Sequence, residues 1–196
     1  MSERGTYVVI EGIDGTGKTE LATRLVTPLL GRKHSVSIFH EPADRFLRAQ
    51  FARLAKVDSV AAALCYTVDR TLLRPSIESA LEQGDIVIQD RSYYSTLAYQ
   101  FPSLDPAEWR ELERIEKAIS LEPDLILYLD ASVDLALQRI EGTRERDSVE
   151  DEPYIRKVKQ KFELMFQAPK WVRIDASKTR ENTLTQAMNA LMAAGL

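Results

Sequence analysis

Gly12-Ile13-Asp14-Gly15-Thr16-Gly17-Lys18-Thr19 stands just after the apolar run Tyr7-Val8-Val9-Ile10 and just before Leu21, Leu25 and Leu29 at helical spacing. A strand, a glycine-rich turn and a helix must therefore follow one another without a linker. The spacing Gly-x₄-Gly-Lys-Thr gives each position a task. Glycines 12, 15 and 17 admit backbone conformations that a Cβ forbids, so successive N–H groups can converge on phosphate oxygens. The helix that begins there adds the partial positive charge of its dipole. Lys18 can reach β- and γ-phosphates, and the Thr19 hydroxyl can take a place on Mg²⁺. Average residue frequencies put a chance match at on the order of 1% of chains this long. The bland alternative, a glycine-rich turn, does not need the flanking strand and helix. The pattern implies a site for a nucleoside triphosphate.

The 196 residues suffice for one sizeable core, and the sequence reads as a single domain, 1–196. A net charge of −4 leaves no basic excess of the kind that binds nucleic-acid polymers. The basic residues that matter should be few, local and aimed at small anions. The single cysteine, Cys65, lies in Ala61-Ala62-Ala63-Leu64-Cys65-Tyr66, which excludes an internal disulfide and predicts a buried thiol. No signal-peptide core opens the chain, and no apolar run nears the ~20 residues of a membrane helix. A soluble cytoplasmic protein without membrane or nucleic-acid partners is expected.

Apolar runs predict five strands, Tyr7–Ile10, Val36–Phe39, Ile86–Gln89, Leu125–Leu129 and Trp171–Ile174. Runs such as Ile86-Val87-Ile88 are continuous rather than alternating, as strands covered on both faces are. Helical periods fall between and after them, at Pro106–Ile119, Val133–Ile140, Pro153–Phe166 and Glu181–Met192, with Pro106 and Pro153 suited to first turns. This alternation predicts an α/β fold of three α/β/α layers around a five-stranded parallel sheet. Ligands then bind beyond the carboxyl ends of the strands, where Glu11-Gly12, His40-Glu41-Pro42, Asp90-Arg91 and Asp130 lie.

At that edge the Asp90 carboxylate can order Mg²⁺-bound water, and the Arg91 guanidinium can grip a phosphate in bidentate fashion. An ordinary salt-bridged pair is the alternative. A second pair, Asp69-Arg70, falls in a helical pattern with Tyr66 four residues before Arg70, on the same helix face. An aromatic plane beside a donor fork suits a flat heterocycle with carbonyl acceptors, although such pairs also arise from packing alone.

The segments Val9–Thr19, Tyr66-Thr67-Val68-Asp69-Arg70, Asp90-Arg91-Ser92, Ser95-Thr96-Leu97-Ala98-Tyr99-Gln100 and Pro123–Asp130 together resemble the thymidylate kinases, in that family's order and over nearly the whole chain. The phosphate loop alone speaks only for triphosphate use; the Asp-Arg and Ser-Thr-x-Ala-Tyr-Gln segments point to thymidylate. The resemblance implies a P-loop kinase fold and a short Arg-rich lid at about 141–150. It implies ATP bound by Gly12, Asp14, Gly15, Thr16, Gly17, Lys18, Thr19 and Arg139, with Mg²⁺ at Thr19 and Asp90. On the acceptor side it implies Glu41, Pro42 and Ser95 in the binding site and Asp14 at the 3′-hydroxyl. Tyr66 would stack on thymine in place of the usual Phe. Arg70 would reach the base carbonyl edge or the acceptor phosphate, and Arg91 the acceptor phosphate. Thr96 would contact the pyrimidine, and Tyr99 would crowd the 2′ carbon. The family is commonly dimeric, and the apolar positions of Pro106–Ile119 suit core or partner equally.

The segment Arg139–Ser148 alternates acids and bases, as a solvated loop would. Gly142 can be a hinge or a helix end, and three arginines fall within eight residues. Some thymidylate kinases carry a basic residue where this chain has Gly15; others lack it and supply a catalytic arginine from the lid. This chain resembles the second kind, which implies Arg144 or Arg146, with Lys18 and Arg91, as the catalytic cations. Three departures stand out. Asp147 precedes Ser148 rather than Arg; Ala43-Asp44-Arg45 replaces Gly-Gly-Thr, leaving Arg45 near the acceptor phosphate within a residue of frame; and Ser92 replaces Tyr.

The expected reaction moves the γ-phosphoryl group of MgATP to dTMP. A phosphate acceptor is already ionised and needs no general base, so positioning and charge neutralisation would carry catalysis. The nearest rival is a kinase of the same fold for another deoxynucleotide or a deoxynucleoside; a nucleoside hydroxyl needs a carboxylate base, for which Glu41 is placed. A nucleotide-dependent switch is the rival of another class. It lacks the guanine-reading Asn-Lys-x-Asp, since Asp175-Ala176-Ser177-Lys178 follows the last strand.

Overall fold

A computed structural model describes residues 4–32, 34–54, 57–143, 151–167 and 169–196. Five strands, β1 (Tyr7–Glu11), β2 (Val36–His40), β3 (Ile86–Asp90), β4 (Leu125–Asp130) and β5 (Trp171–Asp175), form one sheet in the order β2-β3-β1-β4-β5. Every pairing is parallel; Ile10 stands opposite Asp90 on one side and Leu127 on the other. The predicted strands are all present, and each runs one residue further than its apolar run. The extra residues, Glu11, His40, Asp90, Asp130 and Asp175, still have ladder partners, so the sheet extends to the polar ends of the strands.

The helices are α1 (Lys18–Gly31), α2 (Arg45–Leu54), α3 (Ser59–Glu82), α4 (Tyr93–Gln100), α5 (Pro106–Ile119), α6 (Val133–Glu141), α7 (Glu152–Met165) and α8 (Arg180–Ala193). Strand side chains alternate between faces. Val8, Ile10, Ile88 and Leu127 pack with Leu21, Leu25 and Leu29 of α1 and Ala187 and Leu191 of α8. On the other face Val9 and Val87 meet Ile77 and Leu81 of α3, while Ile126 and Tyr128 meet Ala136 of α6 and Val158 and Phe162 of α7. The three expected layers are thus built from residues of alternating register. Pro106 and Pro153 both stand in first helical turns, and Asp105 with Glu108 closes a capping box at the start of α5.

Two expectations change. Cys65 is half-buried rather than buried, because α3 carries it round toward the side where Leu64 is exposed. The same helix exposes Val60, Leu64, Val68 and Leu72 at four-residue steps, one continuous outer stripe. On α5, by contrast, Leu112 is buried with Tyr93 and Leu97, so its apolar side serves the core. Among the described residues no helix is long and apolar enough to cross a membrane.

Candidate active site

The phosphate loop bridges β1 and α1. Gly12, Gly15 and Gly17 take φ of +144°, +81° and +93°, where L side chains are strained. A Cβ on Gly12 would lie 2.6 Å from the Leu129 carbonyl oxygen, and one on Gly15 would lie 2.8 Å from the carbonyl carbon of Ala136 in α6. The loop is therefore wedged between β4 and α6 at backbone contact. Within it, the Thr16 hydroxyl donates to Ile13 O at 2.8 Å, and Lys18 Nζ donates to Gly12 O and Ile13 O at 2.8 and 2.9 Å. Burial, with the Arg91 charge nearby, lowers the Lys18 ammonium to about 8; an arriving phosphate would reverse that pressure.

Thr19 Oγ1 donates to Asp90 Oδ2 at 2.5 Å, and Asp90 Oδ1 is buried without a hydrogen-bond partner. A hydroxyl and an orphaned carboxylate oxygen at the loop fit a hard cation that takes most of its ligands from water and phosphate. No group of three or more acidic, His or Cys side chains is placed to hold a metal ion among the described residues, so the protein would supply only part of a coordination shell. A cleft of about 580 Å³ runs from Asp14–Thr19 past Arg91 to Arg139 and Thr143 at the end of α6 and to Ala176, Lys178 and Arg180 after β5. Arg139 Nη1 donates to Ala176 O at 2.8 Å across its far end. Gly142 is a helix end, capping α6 with its N–H on Gln138 O at 3.1 Å. Arg144 and Arg146 lie outside the described residues.

On the other side of the loop, Arg91 turns the chain from β3 into α4 with φ of +69°, uncommon for a residue with a Cβ. Glu11, fully buried, holds this turn. It accepts from Ser92 N and Oγ at 2.8 and 2.7 Å and from Ser95 Oγ at 2.6 Å. Burial raises the Glu11 carboxyl against the pull of those serines. Sequence reasoning gave Glu11 no role; its position as an acid at a buried strand end was the available signal. The turn sends the Arg91 guanidinium over the Tyr99 ring, 5.3 Å from its centroid, and onto Asp14 Oδ1. Tyr99 Oη accepts from Asp14 N at 2.9 Å and donates to Asp14 Oδ2 at 3.0 Å. The structure thus brings together Asp14, Lys18, Thr19, Asp90, Arg91, Ser95 and Tyr99.

Arg70, on α3, reaches Thr96, one turn before Tyr99 on α4. Its Nε and Nη2 donate to Glu41 Oε1 and Oε2 at 3.0 and 2.5 Å, Nη1 donates to Glu116 Oε2 at 2.5 Å, and Nη2 donates to Thr96 Oγ1 at 3.0 Å. Gln89 Nε2 adds a 2.7 Å bond to Glu41 Oε1, and burial pushes the Glu41 carboxyl up to about 7. Glu41, weighed above as a general base, is instead spent on Arg70 and Gln89. Tyr66 has one ring face covered by Phe51 of α2, at 4.0 Å and 12°. Asp69 accepts from Ala43 N and Asp44 N at 2.8 and 2.7 Å, which fixes the loop containing Pro42. Arg45 begins α2 and is exposed, while Arg48 donates to Pro42 O at 2.7 Å.

A parallel sheet, a phosphate loop opening a helix, and the Arg91 guanidinium beside that loop define a P-loop nucleotide-binding protein. The thymidylate kinase family profile matches residues 10–187. A thymidylate kinase of Albidiferax ferrireducens is 31% identical over 100% of this chain and 99% of its own. Probable thymidylate kinases of Staphylothermus marinus and Thermoplasma acidophilum are 33% and 28% identical, over 91% and 95% of this chain and 90% and 96% of theirs. The chain belongs to the thymidylate kinase family.

Proposed function

We propose that this enzyme transfers the γ-phosphoryl group of ATP to dTMP, giving ADP and dTDP. The observation that carries the reading is the placement of Arg91. Its strained turn, locked by Glu11, aims a guanidinium at Asp14 beside Lys18; Lys18 would serve the triphosphate and Arg91 an acceptor phosphate. The acceptor oxygen is ionised near neutral pH, so no base is required, and Glu41 is occupied in any case. Lys18 and Arg91, with Arg144 or Arg146 from the lid, would neutralise charge spreading over the transferring group. Thr19 and Asp90 would hold Mg²⁺, which supplies charge neutralisation at the phosphates when bound. Asp14 would take the 3′-hydroxyl, Tyr99 would exclude a 2′-hydroxyl, and Tyr66 would offer the face turned away from Phe51 to the base. A homodimer through the exposed Val60, Leu64, Val68 and Leu72 stripe and a cytoplasmic location belong to the same proposal; the stripe supports the first and the family resemblance both.

ADP release, coupled to an indicator reaction, is to be measured with dTMP, dUMP, dCMP, dGMP and thymidine as acceptors. The expected order places dTMP first. No rate above background with dTMP overturns the proposal, and a preference for thymidine would revive the nucleoside kinase.

A further inference from the structure

Ser95 stands four residues after Arg91 and is buried, and its hydroxyl lies between two charges. On one side it donates to Oε2 of the fully buried Glu11 at 2.6 Å; on the other it accepts from Arg91 Nη1 at 3.4 Å. A hydroxyl has one proton and two lone pairs. With the proton spent on Glu11, Ser95 presents only lone pairs to the guanidinium. The other carboxylate oxygen, Oε1, accepts from Ser92 N and Oγ at 2.8 and 2.7 Å and from Ser95 N at 3.3 Å. One side chain of β1 thus holds Arg91 at both ends. Its Oε1 fixes the backbone that follows the left-handed turn, and its Oε2 fixes the hydroxyl on which the guanidinium rests.

We propose that Glu11 is a positioning residue for the Arg91 side chain, acting through the Ser95 hydroxyl to keep the guanidinium aimed when a phosphate takes the place of Asp14. This rests on the reading of Arg91 as the cation for the acceptor phosphate, and it extends the role of Glu11 from the turn to the reacting end of the side chain. Asp14 sits on Nη2 as a partly exposed partner open to exchange. The Ser95 contact sits on Nη1 and is backed by buried groups, so it outlasts that exchange. Charge alone would act in the opposite sense. The Glu11 charge is felt at Arg91, and a carboxylate behind a cation competes with an incoming anion. Removing that charge strengthens phosphate binding if charge is all that Glu11 supplies, and weakens it if Glu11 supplies aim. The two roles differ in sign.

Glu11→Gln separates the two ends. Ser92 N and Ser95 N can only donate, so they keep the amide oxygen at the Oε1 place, and the amide NH₂ faces Ser95 Oγ. The turn keeps its acceptor while the Ser95 proton loses its own. Calorimetry on the full chain, with dTMP and separately with ATP, tests the proposal. Kd for dTMP is expected to rise about tenfold in Glu11→Gln, with Kd for ATP changed far less. Ser95→Ala breaks the same link and should give a similar rise, and the double variant should bind dTMP about as well as the weaker single one, since both changes remove one contact. A Kd for dTMP that holds or falls in Glu11→Gln, parallel losses for dTMP and ATP, or single effects that multiply in the double variant overturn the proposal. If Glu11→Gln does not fold, NMR of Arg91 in the ligand-free Ser95→Ala chain decides. Rotation of its guanidinium about Nε–Cζ is expected to speed up severalfold over wild type, and an unchanged rate overturns the proposal. Failure of the wild-type chain to bind or phosphorylate dTMP would instead refute the function itself.

Discussion

Gly15 offers a perturbation whose size can be worked from geometry. A Cβ there must adopt φ of +81° and would sit 2.8 Å from the Ala136 carbonyl carbon and 3.0 Å from its Cα. Left-handed strain costs about 1–2 kcal/mol, and forcing α6 away from the loop adds about 1–3 kcal/mol. Gly17 has φ of +93°, and a methyl added there would meet nothing within 4 Å, so Gly17→Ala incurs the strain alone. Urea unfolding should therefore show Gly15→Ala losing roughly 2–5 kcal/mol and Gly17→Ala roughly 1–2 kcal/mol. Because α6 also carries Arg139 at the far end of the cleft, ATP affinity by calorimetry should fall more for Gly15→Ala than its stability loss alone accounts for. If Gly15→Ala is no less stable than Gly17→Ala, the wedge against α6 is wrong. The same contact explains why a basic residue at 15 does not fit this chain: Gly15→Arg would displace α6 before it could reach a phosphate.

Single substitutions Arg144→Ala and Arg146→Ala should leave one variant with kcat down ~10³-fold or more; normal turnover in both removes the lid from the mechanism. Lys18 has a folded-state value of about 8 against an ordinary 10.5. Between those values the unfolded chain binds more protons, so this group adds stability as pH rises through the window. Polyphosphate binding must then take up a proton above pH 8, weakening ATP affinity by up to about tenfold per pH unit, and calorimetry in two buffers of different ionisation enthalpy at pH 9 should detect that uptake. Val68→Asp, placed in the middle of the exposed α3 stripe, should give monomers in analytical ultracentrifugation at concentrations where the parent chain is dimeric; a parent that is monomeric throughout refutes the stripe as a dimer surface.

The sheet is legible in the sequence because its strands are short, continuous apolar runs, and the phosphate loop because its residues are contiguous. Both depend on local spacing alone. Residues brought together from afar are not legible: Glu116 reads as one acid among several on α5, and only the packing of α5 against α3 sets it on Arg70. Cys65 departs from expectation for a related reason. Five apolar neighbours look buried in a row, but a helix turns about 100° per residue, so Ala62 and Ala63 face inward while Leu64 faces out. Helix α4, Tyr93–Gln100, escapes periodicity because six of its eight residues are buried, which leaves no amphipathic stripe to read. Helix α2 has no acid in its first turn and takes its N-terminal cap from Asp44, itself placed by Asp69 of α3. The Gly-Gly-Thr departure at Ala43–Arg45 obscures that start.

The two arginines that the sequence sets side by side as substrate contacts are held in ways that separate their tasks. Arg91 is paired with Asp14, and both side chains are partly exposed, at 22% and 24%. Arg70 is paired with two carboxylates, and all three side chains are 6% exposed or less. In the partly solvated pair, an acceptor phosphate can replace Asp14 on Arg91 at modest cost, since water screens the exchange. The displaced Asp14 would keep its Oδ2 on the Tyr99 hydroxyl and its backbone N–H on the same oxygen, and its Oδ1, 3.9 Å from Lys18 Nζ, would stay in place to accept from a sugar hydroxyl. Breaking the buried Arg70 pairs would strand charge in the interior at a cost of about 3–5 kcal/mol, which no uncharged base edge can offset. Phosphate capture at Arg91 and sugar capture at Asp14 would then be one coupled exchange, whereas Arg70 would stay fixed. Tyr99→Phe removes the tether that keeps Asp14 in position after the exchange. It should raise KM for dTMP severalfold more than it raises KM for 3′-deoxy-dTMP, because only the former uses Asp14. Equal effects on the two acceptors would mean that Arg91 and Asp14 act independently.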